Sequence, residues 1–224
     1  MIFALLLAAA PAATAVDAAP ARSAIDAERA FAARAQQAGQ WTAFREYAEP
    51  TAVMFTPQAV WAHEFLKGRK DPPAAIQWWP THSFVSCDGN LAVNLGGARM
   101  PTGGYGSFTT VWARQKDGSW KWSVDHGGPA VRPLARAARP AVRKASCRNL
   151  QAVPSAYRAE TKPTELIAGS PPSDAGQGRS ADGTLVWEWR VARSGAWQFN
   201  AQLWDGGRYR TVVKRQVAAP PEDR

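Results

Sequence analysis

The sequence predicts an α+β fold: a curved antiparallel sheet covered by N-terminal helices, then a basic linker and a C-terminal three-stranded β-meander. Three observations carry it. Two helical apolar periods precede residue 50, alternating strand-like runs fill residues 81–128, and a second alternating set fills 184–217. Segments of unlike period bury their apolar sides against one another, so the helices belong on one face of the sheet.

Ser23 is a suitable N-cap, with Asp26 and Glu28 in the early turns where negative charge suits the helix dipole. Ile25, Phe31, Ala32 and Ala35 follow at helical spacing, and Gly39 is a stop signal. A second helix over 40–49 carries the stripe Trp41, Phe44 and Tyr47, and Pro50 ends it. A strand over 51–55 comes next. The mixed stretch 58–73 holds the turn Lys67-Gly68-Arg69 and the breaker Asp71-Pro72-Pro73, after which a short helix over 73–78 is expected. Strands over 81–87 and 90–98 join at Asp88-Gly89, with Leu91, Val93 and Leu95 on the inward face.

The strongest signal is 107–128, two strands folded over Lys116-Asp117-Gly118. A two-residue loop at Asp117-Gly118 competes with a three-residue loop ending on a left-handed Gly118. The three-residue loop sets Trp112 opposite Trp122, Thr110 opposite Val124 and Phe108 opposite His126, which collects the large apolar groups on one face. Either loop leaves Trp120, Trp122, Val124 and His126 on one face and Lys121, Ser123 and Asp125 on the other. Asp125 is therefore expected to point outward.

Beyond Gly128 the composition changes. No acidic residue occurs between His126 and Ala159, while Arg132, Arg136, Arg139 and Arg143 recur at helical spacing. Pro133 and Pro140 break that period, so a solvated linker over 129–183 is expected, its arginines available to an anionic surface. The final piece, 184–217, reads as the meander, with Trp189 opposite Phe199, Val191 opposite Trp197, Ala201 opposite Thr211 and Phe199 opposite Val213. A sheet with one apolar side needs a cover, either the first domain or a partner subunit. Residues 218–224 read as a disordered tail, and a homodimer is compatible with all of this.

Residues 1–15 resemble a signal peptide, an apolar run with a small-x-small site that puts cleavage after Ala15, although no lysine or arginine precedes the run. A periplasmic or secreted location is the expectation. No later run approaches the roughly 20 apolar residues of a membrane span. The formal charge of +9 favours anionic partners in general and selects no specific nucleic acid. The two cysteines, Cys87 and Cys147, suit one disulfide in an oxidising compartment. His63, His82 and His126 lack ligand spacing, so neither a metal nor a cofactor is expected.

The residues AERAFAARAQQAGQWTAFREYAEPTAVMF, the Lys67-Gly68-Arg69 loop, the hairpin Ser86-Cys87-Asp88-Gly89-Asn90-Leu91 and TTVWARQKDGSWKWSVDHG together resemble the SnoaL-like, ketosteroid-isomerase-like and nuclear-transport-factor-2-like superfamily, especially its exported bacterial branch of unknown function. The resemblance covers about residues 21–128. It implies a cone-shaped domain with a ligand cavity lined by Trp41, Phe44, Phe108, Trp112 and Trp122. By strand parity His126 joins that cavity, His82 joins it if its hairpin pairs Phe84 with Val93, and Tyr47 completes a polar set; a neutral imidazole there is a suitable general base. Each of the three has the plainer alternative of a satisfied core group. The expected function is binding of a small apolar or aromatic ligand. One alternative is cofactor-free isomerase, cyclase or dehydratase chemistry, and another is an envelope module that docks on a polyanion.

Overall fold

The computed structural model describes residues 21–157 and 172–219; the expected signal peptide 1–15, part of the expected linker and the last five residues lie outside them. Helices α1 (Ala24–Ala38) and α2 (Gln40–Tyr47) lead into strands β1 (Ala48–Phe55) and β2 (Ala59–Trp61), then the short helix α3 (Ala62–Leu66). Strands β3 (Gln77–Val85), β4 (Leu91–Arg99), β5 (Tyr105–Arg114), β6 (Trp120–Ala130) and β7 (Ala141–Lys144) complete a seven-stranded sheet of order β2-β1-β6-β5-β4-β3-β7. A second sheet, ordered β11-β10-β9-β8, is built from β8 (Ala175–Arg179), β9 (Leu185–Val191), β10 (Trp197–Trp204) and β11 (Tyr209–Val217).

The first helix starts as its sequence dictates, with the Ser23 hydroxyl accepting from the Asp26 amide at 3.2 Å. Gly39 turns the chain with φ of 108°, and a Cβ there would fall 2.2 Å from the Asp71 carboxyl. That carboxylate accepts from both the amide and the hydroxyl of Thr42, which caps α2. The second helix ends at Tyr47, earlier than expected. Pro50 lies inside β1, where the parallel pairing with β6 shifts register between Ala48 and Val53, so its missing N–H interrupts no regular ladder.

The expected short helix over 73–78 is absent and β3 begins at Gln77 instead. Trp78 and Trp79 can extend the strand because Gly96 and Gly97 face it: a Cβ on Gly96 would lie 2.1 Å from the Trp79 carbonyl, and one on Gly97 would lie 2.9 Å from the Trp79 ring. The first sheet is mixed rather than wholly antiparallel, since β1–β6 and β3–β7 run parallel. The stretch expected to be linker supplies β7 and β8, so the C-terminal sheet has four strands, not three. Glycine hid β8. A Cβ on Gly176 would sit 2.5 Å from the Trp189 ring and one on Gly178 would sit 2.4 Å from the Trp187 ring, so AGQGR is a strand whose bare backbone receives two indoles.

Val191 pairs with Trp197 and Trp189 with Phe199 as the sequence implies. The other hairpin differs: the Asp205 amide bonds to the Arg208 carbonyl and a bulge follows at Val212, so Ala201 faces Val213 and Phe199 faces Arg215. This slip of two residues keeps the apolar residues on one face. It also brings a guanidinium into the interior.

The first sheet is the middle of three layers. One face carries Ala92, Trp112 and Trp122 against Phe31 and the helices. Its other face carries Leu91, Val93, Val111 and Val124 against Trp189, Phe199 and Leu203 of the second sheet. Leu91, Val93 and Leu95 thus face the second sheet and not the helices. The layers are also tied at one end, where Cys87 and Cys147 form a disulfide, Thr184 Oγ1 accepts from the Cys87 amide, and the Ser146 amide bonds to the Trp204 carbonyl. Replacing both cysteines by serine releases a cross-link spanning 60 residues. Urea unfolding of that variant should show a loss of about 4 kcal/mol, the chain entropy of an open loop this long, and dithiothreitol should reproduce it in the parent.

Candidate functional site

The site follows from one extra residue in β6. Trp112 pairs with Trp122 as expected, yet Val111 pairs with Val124, Thr110 with Asp125 and Thr109 with His126. Ser123 is therefore a bulge, and every side chain after it changes face. Trp120 and Trp122 stay under the helices, Val124 and His126 turn to the second sheet, and Asp125 turns inward beneath the helices.

There a cavity of about 420 Å³ opens between the helices and the sheet. Tyr105, which is exposed, and Trp41, Ile76 and Met100, which are partly exposed, mark its mouth; Phe44 and Phe108 also line it, and Asp125 supplies the one carboxyl among the described lining residues. Thr110 Oγ1 donates to Asp125 Oδ2 at 2.7 Å. Burial pushes the Asp125 carboxyl up to about 7 in spite of that bond. Asp125 is only half-buried as a residue, with its open side on the cavity. A wider groove of about 600 Å³ beside α1 and β3 is shallower and includes no carboxyl.

A second carboxyl lies behind the cavity wall. Glu28 is wholly buried on α1, where its Oε1 accepts from Trp78 Nε1 at 2.9 Å and its Oε2 from Trp112 Nε1 at 2.7 Å and Asn94 Nδ2 at 3.3 Å. Burial raises it to about 7, the three donors oppose the rise, and the charge of Asp125 adds to it. The pair resists simultaneous ionisation.

Of the residues expected in the cavity, Trp41, Phe44 and Phe108 line it, whereas Trp112 and Trp122 are sealed in the core beneath. His126 is 2% exposed and packs between the sheets, its ring 4.0 Å from that of Trp197 and stacked at 5.2 Å on Phe55. It meets the cavity beside Phe55, where β1 ends. Neither ring nitrogen has a hydrogen-bond partner among the described residues, and burial, reinforced by the Arg215 charge, holds the imidazole well below its ordinary pKa. His82 does pair with Leu95, but on the face turned away from the helices, and it is exposed with Thr81 Oγ1 at 3.0 Å. Tyr47 is half-buried against Phe31 and Trp112, outside the cavity lining, and burial raises its hydroxyl. The three do not form a set. No group of three His, Cys, Asp or Glu side chains among the described residues could hold a metal ion.

Sequence reasoning missed Asp125, because a bulge leaves no residue signature, and Glu28, which had one. Glu28 falls on the apolar stripe with Ala24, Ala27, Phe31 and Ala35, where a lone carboxylate signals a buried network.

No family model matches the sequence, and no curated protein is significantly similar to it. Solved structures similar to it include a candidate ketosteroid isomerase from Parabacteroides distasonis, 18% identical, covering 49% of this chain and 90% of its own, with a TM-score of 0.40. A second candidate ketosteroid isomerase, from Shewanella frigidimarina, is 15% identical over 48% of this chain and 97% of its own, with a TM-score of 0.37. A nuclear-transport-factor-2-like protein of unknown function from Methylobacillus flagellatus is 11% identical over 50% of this chain and 98% of its own, with a TM-score of 0.36.

Asp125 and Glu28 both hold their protons longer when folded than the unfolded chain does near pH 4. Their contribution to stability is present in full below pH 4 and is lost as pH rises through about 7. Asp125→Asn should consequently gain stability relative to the parent by roughly 2–4 kcal/mol between pH 4.5 and pH 8, measured by urea unfolding at each pH; a difference that stays flat with pH would contradict the assignment.

Proposed function

We propose that this chain binds a small, largely apolar or aromatic molecule in the cavity between its N-terminal helices and the first sheet. The observation that carries this most directly is that a largely apolar space of about 420 Å³ has one carboxyl, that of Asp125, among its described lining residues. Aromatic walls contribute binding by burial, and one converging polar group fixes orientation. A ligand with one oxygen or nitrogen at one end of a ring system matches that lining. The chain is taken to be exported, which the leader-like residues 1–15 and the disulfide favour.

One observation favours a second reading, acid–base catalysis of an isomerase, cyclase or dehydratase type. A carboxyl near 7 that opens on a cavity exchanges its proton readily at neutral pH, and Asp125 rather than His126 meets that condition.

Thermal unfolding with a panel of bicyclic aromatic alcohols, ketones and amines tests the first reading. A member at one hundred times its dissociation constant should stabilise by about 2.7 kcal/mol, a rise of about 5–10 °C in Tm for a chain of this size. Ile76→Trp, which narrows the mouth, should abolish the rise without lowering the unliganded Tm. Protection that survives Ile76→Trp would place the ligand elsewhere. Turnover of a bound member by the parent but not by Asp125→Asn, with protection retained in both, would establish the second reading.

A further inference from the structure

The end of the first sheet that carries the cavity mouth also carries the most unusual surface of the described residues. Gln77, Arg99, Tyr105 and Ala130 form one row across the sheet end, and the chain leaves β6 there as an irregular strap over residues 131–140. The described residues include four exposed large apolar side chains: Tyr105 at 40%, Val131 at 99%, Leu134 at 41% and Val142 at 61%. The first two belong to this row or follow it directly, and the other two lie on the strap and on β7, which it enters. Strap residues 131–139 are all exposed, so Arg132, Arg136 and Arg139 present their charge to solvent, and Arg99 does so from the row itself.

That charge is uncompensated. None of these arginines belongs to an ion pair among the described residues, whose salt bridges are Arg34–Glu46 and Asp205 with Arg208 and Arg210. No acidic residue occurs between His126 and Ala159. The strap is also fastened to the body: Arg29 donates to the Ala138 carbonyl at 3.0 Å, and the Arg136 guanidinium lies 4.6 Å over the Trp79 ring. It is a positioned surface element.

We infer that this sheet end docks on an anionic lipid surface, with Val131, Leu134 and Tyr105 entering the headgroup layer, the strap arginines pairing with lipid phosphates, and the cavity mouth turned toward the bilayer. Exposed aliphatic side chains interleaved with guanidiniums suit an interface that is charged outside and apolar a few ångströms within. Nucleic acid or a soluble polyanion uses the charge and has no use for Val131 or Leu134. A second copy of this chain carries the same positive charge, so like repels like across a self-contact. Docking does not depend on the cavity being a ligand site; the orientation of the mouth adds the route by which an apolar ligand would enter.

Sedimentation of the full chain with vesicles tests this. Vesicles of phosphatidylcholine with about one third phosphatidylglycerol should carry the protein down, and vesicles of phosphatidylcholine alone should not. Each arginine near such a surface contributes about 1 kcal/mol, so Arg132→Gln with Arg139→Gln should weaken partitioning about 30-fold. Val131→Ser with Leu134→Ser should weaken it at least fivefold at unchanged charge. The pair Arg190→Gln and Lys214→Gln, on the second sheet, removes equal charge and should leave it within threefold. Indifference to the Val131 and Leu134 substitutions, equal binding to duplex DNA, or concentration-dependent self-association relieved by those substitutions would each overturn the inference. Ligand protection in vesicle-free buffer is a separate readout, so failure of docking and failure of the cavity reading are distinguishable.

Discussion

One inserted residue, Ser123, sets the arrangement of both faces of the central sheet. The strand it interrupts must bury two indoles beneath the helices and then a valine and an imidazole against the second sheet. Strict alternation would put all four on one side. Without the extra residue the second sheet would lose Val124 and the His126 ring from its core, and a carboxyl would be lost from the cavity. The bulge thus couples closure of the inter-sheet core to placement of Asp125, and neither can be changed alone.

The cavity has one carboxyl among its described lining residues because the two buried acids are managed differently. Glu28 is given three donors and no exposure, which makes it a joint between α1 and strands β3, β4 and β5. Asp125 is given one donor and an open side. A buried acid that is fully hydrogen-bonded serves architecture, while one held by a single hydroxyl retains capacity for a ligand. The Asp125 charge adds to the rise at Glu28, so the two are linked electrostatically.

Tryptophan on the second sheet is accommodated by subtraction. Trp187 and Trp189 lie against Gly178 and Gly176, and Trp79 lies against Gly97. In each case a broad ring covers the bare backbone of the neighbouring strand in its own sheet. The same device makes glycine-rich segments into strands, so β8 does not advertise itself by composition. His126 sits within this aromatic layer, where rings surround its nitrogens and no partner for them occurs among the described residues.

The periodicity of 107–128 and 184–217, the cap at Ser23 and the Trp112–Trp122 pairing were legible from sequence, because each depends on residues close in the chain or on a turn whose glycine is obligatory. Local rules failed where a residue's meaning depended on something distant. Pro50 reads as a helix stop until β6 is beside it, and Gly176 reads as linker until Trp189 lies on it. The amino acids alone determined the two N-terminal helices, the strands of 107–128 and 184–217, and that the segment after Gly128 would be cationic. Tertiary packing alone decided the bulges at Ser123 and Val212, and with the first of them whether Asp125 or His126 lies beneath the helices. A bulge is chosen by the fit of whole layers on both sides of a strand, and that fit is not encoded in the pattern of the strand itself.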